Sequence, residues 1–123
     1  MNKLKILLAE DDVLNQYMVR KVTSDFGFVL DIAENGQAAI NKLNQNEYDL
    51  ILMDIEMPIM NGYEATTYIR SKMGNKSNIP IIVVSGRSAV SETSKCLLAG
   101  ANSYLPKPFN TREFLSEINT LFI

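Results

Sequence analysis

The chain has 123 residues, 46% of them hydrophobic and 21% charged, with twelve basic and fourteen acidic side chains and a formal net charge of −2. That length holds one core, and without a cluster of Lys and Arg it lacks the phosphate-neutralising face that nucleic-acid binding requires. Histidine is absent and Cys96 is the one cysteine, which excludes a Ser-His-Asp relay, a His-ligated zinc site, an internal disulfide and a phosphohistidine carried by these residues.

No apolar run approaches the ~18 residues of a membrane span, and the start Asn2-Lys3-Leu4-Lys5 leads into a strand and not into a signal peptide. A cytoplasmic domain without membrane contact is expected. Short apolar runs alternate with amphipathic stretches along the chain. Residues 4–9 read as a buried strand, and 13–25 as a helix with Leu14, Tyr17, Met18 and Val22 near helical spacing, ended by Gly27. A second strand is expected at 28–33, and a helix opens at Asn35-Gly36 and runs to about 46. Residues 50–53, apolar throughout, suit a strand covered on both faces. After Pro58 and Asn61-Gly62 a helix spans 63–73, followed by a polar turn and a fourth strand at 79–84. The helix expected at 90–99 is Ser/Thr-rich in its first half, apolar at Leu97-Leu98 and capped by Gly100; Cys96 in it reads as packing. A fifth strand covers 103–105, and Asn110 with Glu113 forms a capping box for a last helix whose inner face is Phe114, Leu115, Ile118, Leu121 and Phe122.

Five βα units in succession imply a three-layer α/β sandwich, a parallel sheet with helices on both faces. In the flavodoxin-like order 2-1-3-4-5 a ligand site lies beyond the carboxyl ends of strands one and three. Strand one ends in Glu10-Asp11-Asp12, strand three in Asp54, strand four in Ser85-Gly86 and strand five in Lys107-Pro108. Asp11, Asp12 and Asp54 are expected to converge, with Ser85 and Lys107 arriving from the side. Carboxylates so close oppose one another's ionisation, and a hard divalent cation with oxygen ligands, Mg²⁺ best of all, relieves the conflict. Asp12 also stands where a helix N-cap is favoured, so its carboxylate has two candidate roles. Asp54 is then a carboxylate nucleophile able to form an acyl phosphate, with Mg²⁺ neutralising one phosphoryl oxygen, Lys107 a second, and the Ser85 hydroxyl donating to a third.

With Glu10-Asp11-Asp12, the run Met53-Asp54-Ile55-Glu56-Met57-Pro58-Ile59-Met60-Asn61-Gly62, Ser85, and Lys107-Pro108-Phe109, the chain resembles the receiver domains of two-component response regulators over residues 4 to about 122. The resemblance implies that the domain, taken as 1–123, accepts a phosphoryl group on Asp54 from the phosphohistidine of a histidine kinase or a histidine phosphotransfer domain. It implies metal ligation by Asp11, Asp12, Asp54 and the backbone carbonyl of Glu56. It further implies a cis Lys107-Pro108 bond, and a switch pair, Ser85 and Tyr104, acting on an output face formed by the fourth helix, fifth strand and fifth helix. Such a domain is no enzyme in the ordinary sense, since its phosphorylation and dephosphorylation are self-catalysed; a homodimer formed on phosphorylation is a further expected partner.

Gly86 stands where Ala is frequent in the family, and Glu56, Gly86 and Arg87 flank the site as candidate tuners of acyl-phosphate lifetime. Asn15-Gln16 and the Met-Asp-Ile-Glu-Met-Pro wording resemble receivers of hybrid sensor histidine kinases. The alternative is a pseudo-receiver, a protein-binding module of the same fold without phosphotransfer. A flavin site would instead need a Ser/Thr/Gly-rich cradle where Glu10-Asp11-Asp12 stands, and an aspartate-nucleophile phosphatase would carry its acceptor after the first strand.

Overall fold

The structure, a computed structural model, describes residues 3–86 and 89–122. Its elements are β1 (Lys5–Ala9), α1 (Val13–Ser24), β2 (Val29–Ala33), α2 (Gly36–Gln45), β3 (Leu50–Asp54), α3 (Gly62–Lys72), a 3₁₀ turn (Gly74–Lys76), β4 (Ile81–Gly86), α4 (Val90–Leu98), β5 (Ser103–Lys107) and α5 (Thr111–Phe122). The five strands form one parallel sheet in the order β2-β1-β3-β4-β5, as expected from the alternating runs. β1 and β3 lie side by side with Ala9 opposite Met53, so the point where strand order reverses falls between the two acidic strand ends. β4 begins two residues later than expected and continues through Ser85 and Gly86, which pair with Pro106 and Lys107 of β5. Ser85 and Lys107 are therefore held by the sheet and not by loops.

Strand alternation sorts the core into two halves. Leu7, Ala9, Ile51, Met53, Ile81 and Val83 face α2, α3 and α4, where Ile40, Leu43, Ile69 and Cys96 meet them. Ile6, Leu8, Leu50, Leu52, Ile82 and Val84 face α1 and α5, packing on Val19, Phe114 and Ile118. Phe114 is fully buried and gathers Phe26, Phe28 and Phe109 around it at 5.9–6.3 Å between ring centroids. The capping box of α5 forms as expected, with Glu113 N–H donating to Asn110 Oδ1 at 2.8 Å and Asn110 N–H to Glu113 Oε1 at 3.1 Å.

Two helices turn differently from their sequence pattern. Leu14, Tyr17 and Met18 of α1 are exposed, together with Val13, and the buried positions are Val19 and Thr23; the Thr23 hydroxyl is accommodated there by donating to Val19 O at 3.0 Å. In α4 the apolar pair Leu97-Leu98 faces outward, Leu98 at 90% exposure, and Thr93 with Cys96 faces the core. Both helices thus keep an apolar stripe in solvent. On the far side Arg70 ties α3 to the approach to β5, donating to Gly100 O at 2.8 Å, Ser77 O at 2.8 Å and Asn102 Oδ1 at 3.0 Å.

The segment between β3 and α3 is drawn tight against Asp54. Gly62 N–H donates to Ile55 O at 2.8 Å, and a Cβ on Gly62 would sit 2.2 Å from Asp54 O, so only glycine allows this approach. Ile59 heads a γ-turn: Met60 N–H donates to Pro58 O at 2.7 Å across it, and Ile59 takes φ 70°. A β-branched residue is strained there, and its side chain, 81% exposed, recovers little by packing. Ile59→Gly is therefore expected to raise stability by about 1 kcal/mol, read as a higher urea midpoint with unchanged slope; an equal or lower midpoint would show that the turn holds no strain.

Candidate functional site

The carboxyl ends of β1, β3, β4 and β5 open into a cleft lined by Glu10, Asp11, Asp12, Asn15, Asp54, Ile55, Glu56, Ser85, Gly86, Ala89 and Lys107. Carboxylate oxygens of Glu10, Asp11 and Asp54 lie within 4.8 Å of one another. Asp12 was expected beside Asp11 and Asp54; the carboxylate that the structure gathers with those two is that of Glu10. Asp12 is the N-cap of α1, with extended backbone at φ −86° and ψ 121°, and its Oδ2 accepts from Asn15 N–H at 2.9 Å. The Asp12 carboxylate lines the cleft but is engaged by its own helix, and it is Glu10, one residue past the end of β1, whose carboxylate gathers with Asp11 and Asp54. The Asp12 N–H donates to Glu10 Oε2 at 3.2 Å, and the Gln16 side chain donates to Glu10 O at 2.7 Å. The helix start and its first turn together hold Glu10 in the cleft.

Lys107 reaches in from β5, with Nζ 2.8 Å from Asp54 Oδ1 and 2.9 Å from Glu10 Oε1. Asp54 and Glu10 are buried, at 5% and 2% exposure. Burial opposes the Lys107 charge, but its hydrogen bonds to Asp54 and Glu10 and their charges outweigh that, and its pKa lies above the ordinary lysine value. Burial pushes the Glu10 carboxyl up to about 7; the Asp54 charge adds to this, and the hydrogen bonds from Lys107 and Asp12 N–H oppose it. Among the described residues a single ammonium thus meets these carboxylates, which leaves them undercompensated. An all-oxygen, partly open donor set with surplus negative charge fits a hard divalent cation.

Ser85 sits at the end of β4, buried at 4% exposure, and its hydroxyl lies 2.9 Å from Thr93 Oγ1 of α4. Tyr104 of β5 is half exposed and lines, with Ser85 and Thr93, a groove between α4, β5 and α5. Among the described residues nothing stands where a Cβ on Gly86 would be, so an alanine meets none of them. Glu56 is exposed at the rim of the cleft, and the Lys107-Pro108 bond is cis. Arg87 lies outside the described residues. Two residues of the site had escaped sequence reading. Glu10 was legible in principle, since an N-cap at Asp12 moves the acidic pair one position back; Thr93 carried no local signal.

A family profile described as the response regulator receiver domain matches residues 6–119. Among curated proteins the chain is 38% identical over 124 residues to hybrid signal transduction histidine kinase B of Dictyostelium discoideum, covering 93% of this chain and 6% of that protein. It is 36% identical over 117 residues to the probable transcriptional regulator ycf29 of Pyropia yezoensis, covering 95% of this chain and 52% of that one. The chain therefore spans only part of these relatives. Among solved structures, the receiver domain of sensor histidine kinase PA1611 from Pseudomonas aeruginosa PAO1, described with a magnesium ion coordinated in its active site cleft, is 32% identical with a TM-score of 0.87, each chain covered to 97%. The profile match takes in the whole sheet but its first residue and all five helices but the tail of the last, and on that ground the chain belongs to the response regulator receiver domains of two-component signalling.

Proposed function

We propose that residues 1–123 form one receiver unit that accepts a phosphoryl group on Asp54. The observation that carries this is the single Lys107 ammonium shared between Asp54 and Glu10 in an acidic cleft. Phosphoryl transfer asks a protein chiefly for positioning and charge stabilisation. An Asp54 carboxylate oxygen attacks phosphorus, the phosphorus–nitrogen bond of a phosphohistidine breaks, and the electron pair returns to the imidazole. With no histidine in the chain, that donor belongs to a histidine kinase or a phosphotransfer domain elsewhere. The apolar stripe Val13, Leu14, Tyr17 and Met18 begins beside the cleft and offers such a domain a surface to rest on.

Glu10, Asp11 and Asp54, with the backbone carbonyl of Glu56, would hold Mg²⁺. Bound there, it supplies positive charge to the cluster and to a phosphoryl oxygen. Lys107 is placed to hand its hydrogen bond from Asp54 to a second oxygen, and Ser85 to donate to a third. In the present arrangement Ser85 is turned to Thr93 and Tyr104 is half exposed, which we read as the unswitched state; on phosphorylation Ser85 would swing to the phosphoryl group and Tyr104 inward, reshaping the face formed by α4, β5 and α5. Glu56, Gly86 and Arg87 are our candidates for setting the lifetime of the acyl phosphate.

Incubation with Mg²⁺ and acetyl phosphate is expected to add one phosphoryl mass to the parent and none to Asp54→Asn; a parent that gains no mass would make the domain a binding module only. Glu10→Gln is expected to weaken Mg²⁺ binding about tenfold or more by calorimetry, and Asp12→Asn, which keeps the helix cap, to leave it within about twofold; the reverse ranking would restore Asp12 as the ligand. Glu56→Ala is expected to shorten the acyl-phosphate half-life, and an equal or longer half-life would remove Glu56 from the lifetime role.

A further inference from the structure

The hydroxyl of Thr93 meets two oxygens, Ala89 O at 2.7 Å and Ser85 Oγ at 2.9 Å, and both side chains are buried, at 7% and 4% exposure. Thr93 has one hydroxyl proton, and a carbonyl oxygen can only accept. The proton of Thr93 therefore goes to Ala89 O, back along the first turn of α4, and Ser85 is the donor in the contact between the hydroxyls. The Ser85 proton thus points at α4 and is not donated to Asp54. Among the described residues no other hydrogen-bond partner of the Ser85 side chain is recorded.

We propose that Thr93 is a positioning residue that holds the Ser85 hydroxyl off the phosphoryl site, so that Ser85 reaches a phosphoryl oxygen only by letting go of α4. This rests on the reading of Ser85 as a phosphoryl contact. The exchange is nearly balanced in hydrogen bonds: Ser85 gives up a neutral acceptor for an anionic one, and Thr93 keeps Ala89 O. What Thr93 sets is the standing population of the held state, and with it the link between the N-terminal turn of α4 and occupancy at Asp54. An allosteric element needs two arrangements that differ in their contacts, and this pair of hydroxyls supplies one at the base of α4.

The test is beryllofluoride titration in Mg²⁺, followed by calorimetry, on the parent, Thr93→Val, Thr93→Ala, Thr93→Ser, Ser85→Ala and the double variant Ser85→Ala/Thr93→Val, with urea unfolding of each. Valine and alanine remove the acceptor and are expected to tighten beryllofluoride binding by about fivefold, the worth of one neutral hydrogen bond. Serine keeps the hydroxyl and is expected to match the parent, and Thr93→Val is expected to change nothing once Ser85 is alanine. A merely structural role would move the urea midpoint without this pattern. If Ser85→Ala weakens binding but neither Thr93→Val nor Thr93→Ala tightens it, the holding role fails and the reading of Ser85 stands. If Ser85→Ala binds as the parent does, both fall.

Discussion

Too much negative charge is gathered in too small a place at the carboxyl end of this sheet, and the rest of the site is arranged around that fact. Glu10, Asp11 and Asp54 have oxygens within 4.8 Å of one another, two of the three side chains are buried, and one ammonium, Lys107, is shared between two of them. In a low-dielectric cleft such a set is costly by itself: burial first, and the Asp54 charge in addition, raise the Glu10 pKa. The sheet withstands the repulsion because β1, β3 and β5 are fixed by continuous ladders and by apolar layers on both faces. Charge held under constraint in this way favours whatever brings positive charge to the cleft.

The elements around the cleft divide into those that hold and those that yield. Gly62 locks the start of α3 against the Asp54 backbone, and Asp12 with Gln16 locks the start of α1 against Glu10. By contrast α4 begins without a side-chain cap at Ala89 and touches the cleft through the contact of Thr93 with Ser85. A helix with an uncapped start and few buried side chains is the kind of element that moves at low cost. The exposed stripes of α1 and α4 belong to the same division, since both border the cleft or its groove and leave apolar surface unburied.

Much of this was legible in the residues. Apolar runs such as Leu50-Ile51-Leu52-Met53 and the alternation with helical stretches specify a parallel sheet, because only strands covered on both faces can be so uniformly apolar. Asp54, Ser85 and Lys107 could be placed because each ends or nearly ends a strand, and strand order alone brings those ends to one rim. The inner faces of α1 and α4 were not legible in the same way. Cys96 was expected in the packing and is buried there, but Leu14, Tyr17, Met18, Leu97 and Leu98 satisfy helical spacing as well as Val19, Thr23 and Thr93 do, and composition does not say which side of a short helix meets the sheet.

By itself the sequence determined the number and order of the elements, the absence of any histidine chemistry, and the concentration of acid and lysine at the strand ends. The tertiary structure decided which acid faces which. Three consecutive acidic residues differ only in where the chain turns from strand to helix, and that turn gives Asp12 to the helix N-terminus, Glu10 to Lys107 and Asp11 to the open side of the cleft. It also decided that Thr93, eight residues from Ser85, touches it. Side-chain direction at a strand-to-helix junction and contact across a helix–sheet interface are set by packing over long sequence distances, which no local pattern of residues encodes.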